Sequence, residues 1–188
     1  MLTLAVYGKE EGGALEPARP IHVDYTPKGL ETTIRECRRD ISEMAKDVLD
    51  AEDAKAQEQD VEVPRYAAYS VWRPIRPVKR DPLVVCDYRS MDKDELSKHQ
   101  YRALSEQNPD GDYTMEYWSV APPKDVKQPR WYWMPEQQPD EVLIIKFADT
   151  AASDPNIAMC CPHGAAVIPG TESEEARCSI ECRVLAFW

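Results

Sequence analysis

His22-Val23-Asp24 is the first grouping that could do chemistry, because residues i and i+2 of an extended strand project to the same face. The pair would present an imidazole and a carboxylate together while Val23 points away. A third ligand from a distant strand would complete a set of two histidines and one carboxylate, which holds Fe(II) and leaves coordination positions open. The chain has three histidines, His22, His99 and His163. His99 falls in the polar segment 92–102, which reads as a surface turn or short helix; His163 follows the apolar run 157–161 and precedes Gly164. His163 is therefore the expected third ligand. H-x-D alone is a short pattern, and a histidine beside a strand more often serves as hydrogen-bonded structure.

The C-terminal run Arg177-Cys178-Ser179-Ile180-Glu181-Cys182-Arg183-Val184 adds a second group. Strand alternation puts Arg177, Ser179, Glu181 and Arg183 on one face. A guanidinium can hold a carboxylate through two parallel charge-assisted hydrogen bonds, and a hydroxyl two residues on can add a third contact. Arg177 and Ser179 thus read as a carboxylate clamp, one loop and one strand after His163. The competing reading is a polar face turned to solvent.

The elements that must position these residues are mostly short. Leu2 to Gly8 and Ile21 to Tyr25 read as strands, followed after a helix by Arg65 to Trp72, Leu83 to Asp87, Tyr113 to Ser119, Arg130 to Met134, Val142 to Phe147, Ile157 to Cys161 and Arg177 to Phe187. Between Gly29 and Gln59, Leu30, Ile34, Cys37, Ile41, Met44 and Val48 recur at spacings of four and three, predicting one long amphipathic helix. Thr26 before Pro27 is placed to cap it. About nine strands with one helix predict a mainly β fold, a two-sheet jelly roll or a barrel. Residues 1–188 read as a single domain.

H-x-D, a later histidine and then R-x-S, in this order, resemble the 2-oxoglutarate-dependent oxygenase superfamily. Over residues 20–188 the resemblance narrows. Pro20-Ile21-His22-Val23-Asp24-Tyr25-Thr26-Pro27, Val71-Trp72-Arg73-Pro74, Asp81-Pro82-Leu83 with Cys86-Asp87, Arg130-Trp131-Tyr132-Trp133, Asp140-Glu141-Val142-Leu143-Ile144-Ile145-Lys146 and Ser179-Ile180-Glu181-Cys182-Arg183 look like successive blocks of one family. It is the fungal and bacterial hydroxylase/desaturase family of Fe(II)/2-oxoglutarate-dependent oxygenases, which includes gibberellin-desaturase-like and aspergillic-acid-cluster hydroxylase-like members.

The resemblance implies a double-stranded β-helix (jelly roll, cupin-like) and hydroxylation or desaturation of a small-molecule secondary metabolite. It makes His22, Asp24 and His163 the Fe(II) ligands and Arg177, with Ser179, the anchor for the co-substrate 2-oxoglutarate. Trp72, Arg73, Trp131 and Tyr132 belong to its blocks with no assigned role. Two departures stand out: only 21 residues precede His22, and Cys160-Cys161-Pro162-His163-Gly164 replaces a Pro-His-Thr block. The first predicts a substrate pocket left open, or completed in a homodimer or by a partner subunit. A shortened accessory subunit without independent catalysis is the alternative function.

Composition narrows the field further. A net charge of −11 opposes a phosphate backbone, so nucleic acid is not an expected partner. No apolar run approaches the roughly 20 residues of a membrane span, and Met1 to Lys9 lacks the pattern of a signal peptide. A cytoplasmic address follows, in which the six cysteines read as reduced thiols. Cys160, Cys161 and His163, with Cys178 and Cys182, could in principle bind zinc, but no C-x-x-C pair supports it.

Overall fold

Short antiparallel strands joined by proline-rich turns dominate the computed structural model, which describes residues 4–7, 16–107, 111–126 and 128–188. The strands are β1 (Leu4–Tyr7), β2 (His22–Val23), β3 (Tyr66–Pro74), β4 (Leu83–Cys86), β5 (Leu96–Leu104), β6 (Asp112–Val120), β7 (Trp131–Tyr132), β8 (Leu143–Asp149), β9 (His163–Ala165) and β10 (Ser179–Phe187). They form a four-stranded sheet in the order β1-β10-β3-β8 and a six-stranded sheet in the order β5-β6-β2-β9-β4-β7. The ends of the expected first strand, Leu2, Thr3 and Gly8, lie outside the described residues.

The expected single helix is divided into α1 (Pro27–Glu36), α2 (Arg39–Met44) and α3 (Lys46–Ala56). The first break has a visible cause. The last carbonyls of α1 are taken by the 105–107 loop: Glu106 N–H donates to Cys37 O at 3.0 Å, Gln107 Nε2 donates to Arg35 O at 3.0 Å, and Ser105 Oγ donates to Glu36 O. Arg38 then takes an extended backbone, with φ −153° and ψ 141°. Helix-end carbonyls need partners, and partners from a loop end the helix as effectively as water does. Leu30, Ile34, Ile41 and Val48 all stay buried across the breaks, whereas Met44, expected on the same side, is exposed.

Thr26 caps α1 as its type predicts, accepting from Gly29 N–H at 2.9 Å with Pro27 in the first turn. Its hydroxyl also donates to Glu116 Oε1 at 2.6 Å, and its N–H donates to Glu116 O at 3.1 Å. Gly29 lies against the same strand: a Cβ there would stand 1.9 Å from Glu116 O. The chain leaving β2 is therefore clamped to β6 before it enters α1.

One apolar core draws on every layer. Trp72, Ile145 and Phe147 come from the four-stranded sheet, Leu83, Tyr113 and Met115 from the six-stranded sheet, and Leu30 and Ile34 from α1. The two sheets therefore face each other across shared side chains. All six cysteines are free thiols, and among the described residues no helix is long and apolar enough to cross a membrane.

Candidate metal centre

Strand register brings the histidines together. β2 lies between β6 and β9, and His22 pairs directly with His163 across the β2–β9 ladder, their ring centroids 4.6 Å apart. Asp24 follows β2 at once, and its Oδ2 is 3.2 Å from His163 Nε2. One donor atom from each of His22, Asp24 and His163 lies within 4.8 Å of the others, the one such group among the described residues.

Backbone carbonyls orient both rings. His22 Nδ1 is 2.8 Å from Pro20 O and His163 Nδ1 is 3.0 Å from Cys161 O. A carbonyl can only accept, so each Nδ1 carries the proton and each Nε2 is left as the donor toward a metal. The stretch before His163 is itself fixed, by Cys161 N–H to Lys146 O and Cys86 N–H to Pro162 O, each 2.8 Å. Phe147 stacks on the His163 ring at 5.6 Å and 21°. Two imidazole nitrogens and a carboxylate oxygen, preoriented and with Asp24 and His163 buried and His22 half-buried, suit a divalent first-row metal.

The electrostatics agree with that donor set. Burial, then the neighbouring His163, pushes His22 below the usual imidazole range, favouring the neutral ligand form. Burial alone would raise the Asp24 carboxyl, but Arg183 beside it, together with His163, holds it below the ordinary carboxylate range. Asp24 therefore stays ionised. Burial opposes protonation of His163, yet the contact with Asp24 raises it overall. The space between these two groups attracts positive charge.

A narrow cavity adjoins the three residues, lined also by Trp72, Leu83, Ile145, Arg177 and Glu181. Its room for water-sized molecules is about 40 Å³. Arg177 is 4% exposed, donates to Asp81 O at 3.0 Å and lies 5.2 Å over the Trp72 ring. Asp81 offers that carbonyl from a left-handed backbone conformation, φ +54°, which aspartate tolerates better than most residues. Ser179, the first residue of β10, is fully buried and its hydroxyl makes no hydrogen bond among the described residues, but it is not one of the residues that line this cavity, and Arg177 lies just before the strand. On another side, His22 and Asp24 meet a wider opening of about 330 Å³ walled by Tyr101, Met115 and Tyr117.

The alternating C-terminal face thus turns inward rather than to solvent, and it carries two residues without a role in the sequence reading. Glu181 lines the cavity, and burial, then the charge of Asp24, raises its carboxyl. Arg183 reaches Asp24 Oδ1 at 2.5 Å. Trp72 is a buried cavity wall, Tyr132 is exposed, and Arg73 bonds Pro139 O on the surface.

Two expectations are corrected. His99 sits in β5 rather than a turn or short helix, bonded to Ser119 Oγ at 2.8 Å. The run 157–161 forms no strand, and β9 begins only at His163. The zinc grouping does not assemble among the described residues. Burial, then neighbouring thiols, pushes Cys160 up to about 12, and burial, then Cys86, pushes Cys161 up to about 11, so both remain protonated and poor ligands.

A family model described as Oxidoreductase/YMDC permease-like domain matches residues 7–187. The chain is 34% identical to the gibberellin cluster GA4 desaturase of Gibberella fujikuroi, over 96% of this chain and 52% of that protein. It is 31% identical to the hydroxylase/desaturase CTB9 of Cercospora beticola, over 92% of this chain and 48% of that one. The iron and alpha-ketoglutarate-dependent endoperoxidase NvfI superposes with a TM-score of 0.64 at 27% identity, over 100% of this chain and 61% of that one; a relative of that name, nvfI, is from Aspergillus novofumigatus. The chain spans about half to three fifths of the length of these relatives. It belongs to the oxidoreductase family of the matching model, with relatives among the fungal hydroxylase/desaturases and Fe(II)/2-oxoglutarate-dependent dioxygenases.

Proposed function

We propose that this chain is a single jelly-roll domain, a double-stranded β-helix of the cupin-like kind, that binds Fe(II) and 2-oxoglutarate and oxidises a small-molecule secondary metabolite by hydroxylation or desaturation. The observation that carries the reading is the convergence of His22, Asp24 and His163 on one cavity that Arg177 also lines. His22 and His163 would bind the metal through Nε2 and Asp24 through Oδ2. Arg177 and Ser179 would hold the far carboxylate of 2-oxoglutarate, the guanidinium by its fork and the buried hydroxyl by a single bond. When bound, iron and 2-oxoglutarate would use dioxygen to supply an oxidant able to remove hydrogen from carbon, one oxygen atom entering succinate as carbon dioxide leaves and the other ending in the hydroxylated product or, for desaturation, in water.

The chain's own part is positioning and exclusion of water. Phe147 and the two backbone carbonyls hold the imidazoles, while Trp72, Leu83 and Ile145 give the cavity apolar walls. The Tyr101, Met115 and Tyr117 wall supports entry of a largely uncharged small molecule from that side. Among the described residues β5 is an edge strand with exposed Tyr101 and Leu104, so a homodimer or a partner subunit laid along it would close the pocket. Free thiols fit a reducing, cytoplasmic compartment.

The test is succinate formation from 2-oxoglutarate by the purified chain in air. Turnover that requires Fe(II) and disappears in His163→Ala supports the proposal. Equal succinate formation with and without Fe(II), or none from folded protein, contradicts it.

A further inference from the structure

The two oxygens of Asp24 have different partners, and Arg183 on β10 makes the difference. Its Nη2 donates to Asp24 Oδ1 at 2.5 Å, and its Nη1 donates to the Tyr25 hydroxyl at 3.3 Å. The guanidinium is also held between two rings, 5.6 Å from that of Tyr25 and 5.4 Å from that of Phe147. Tyr25 and Phe147 are themselves buried and in edge contact at 5.8 Å. Oδ2 is left buried and facing His163 Nε2 at 3.2 Å. Glu181 Oε1, at 3.8 Å from Arg183 Nε, is the other carboxylate beside the guanidinium.

We propose that Arg183 is a positioning residue that makes Asp24 a one-oxygen ligand: it occupies Oδ1, presents Oδ2 alone to the metal, and so keeps one coordination position open beside a chelating co-substrate. A free carboxylate can chelate a divalent cation through both oxygens, and an Asp24 that did so would leave a chelating keto acid to fill the last positions of an octahedral ion, with none open for oxygen. An arginine suits this task better than a lysine. Its planar fork fixes the direction of the bond and stacks on the flanking rings, whereas an ammonium is a mobile point charge. The inference rests on the function proposed above, but it has a readout of its own.

The experiment compares the whole chain with its Arg183→Met and Arg183→Lys variants, using Co(II) as the probe metal and 2-oxoglutarate as the added ligand. The visible Co(II) spectrum is recorded before 2-oxoglutarate is added, and 2-oxoglutarate affinity is then measured on the loaded protein. Arg183→Met is expected to take up Co(II) with a changed spectrum and to bind 2-oxoglutarate about tenfold or more weakly, an effect of the size that loss of outer-sphere partners has on metal affinity or activity. Arg183→Lys should show the same changes to a smaller degree. A weaker Co(II) affinity with the wild-type spectrum and wild-type 2-oxoglutarate affinity would mean that Arg183 only balances charge, and the proposal falls. If Arg183→Met does not fold by circular dichroism, Arg183→Lys decides, and wild-type behaviour in it overturns the proposal. A wild-type chain that binds Co(II) but not 2-oxoglutarate contradicts the proposed function instead, and the Co(II) spectra of the variants still decide on Arg183.

Discussion

Replacing Arg177 with methionine keeps much of the side-chain volume while removing its charge and every donor. In the protein this guanidinium is already 4% exposed, bonded to Asp81 O at 3.0 Å and set over Trp72. Little conformational freedom remains to be lost when an anion arrives. Truncating one side of a buried, hydrogen-bonded charge pair costs about 2–5 kcal/mol, which at about 1.4 kcal/mol per tenfold is roughly 30-fold to a few thousandfold in 2-oxoglutarate affinity. Asp81 O also loses its donor, at a cost to folding of about 1–3 kcal/mol. Isothermal titration of 2-oxoglutarate into Mn(II)-loaded protein measures the first effect, and urea unfolding the second. Arg177 is not itself one of the three candidate ligands, so Mn(II) affinity should change by no more than about threefold, under 1 kcal/mol. A folded Arg177→Met protein with wild-type 2-oxoglutarate affinity would refute the clamp.

Gly29→Ala tests the seating of α1: alanine gains about 1 kcal/mol in helix propensity over glycine, but its Cβ would stand 1.9 Å from Glu116 O. The clash is with backbone and should dominate, for a net loss of about 2 kcal/mol or more in urea unfolding; an unchanged or higher stability would show that α1 is free to shift. Asp149 is expected to contribute to acid stability. Burial would raise its carboxyl, but bonds from Arg65 and Lys146 hold it at about 2, below the ordinary 3.8. A carboxyl depressed on folding contributes stability above its unfolded value and loses it as pH falls through the folded one. The drop corresponds to roughly 2 kcal/mol at full effect, trimmed to about 1–2 kcal/mol because Arg65 is partly exposed. Stability should therefore decline between about pH 4 and pH 2, with a shallower slope in Asp149→Asn; parallel slopes would count against the assignment.

How much of this could be read from sequence depends on range. The i, i+2 relation of His22 and Asp24 is local, and so is the shared face of Arg177, Ser179, Glu181 and Arg183. Alternation tells which residues share a face but not where that face points. The inward turn of β10, which puts Arg183 on Asp24, comes from its pairing between β1 and β3. The direct pairing of His22 with His163 is likewise a matter of register between distant strands. Strand β5 escaped notice because most of its residues are exposed at a sheet edge, where no apolar period of two is required. The run 157–161 misled for the opposite reason: it is apolar, but Cys160 is buried in irregular chain. The first helix break was hidden because the apolar spacing carries through it while its cause, the 105–107 loop, lies far along the chain.

The central claim is that His22, Asp24 and His163 bind Fe(II) so that 2-oxoglutarate can chelate it under the grip of Arg177. Anaerobic titration of the apo chain with Fe(II) and then 2-oxoglutarate tests this most directly, because the chelate absorbs weakly in the visible through charge transfer from metal to keto acid. A band that saturates at one equivalent of each and is absent in His163→Ala is expected. Folded wild-type protein that gives no such band at saturating Fe(II) and 2-oxoglutarate would contradict it.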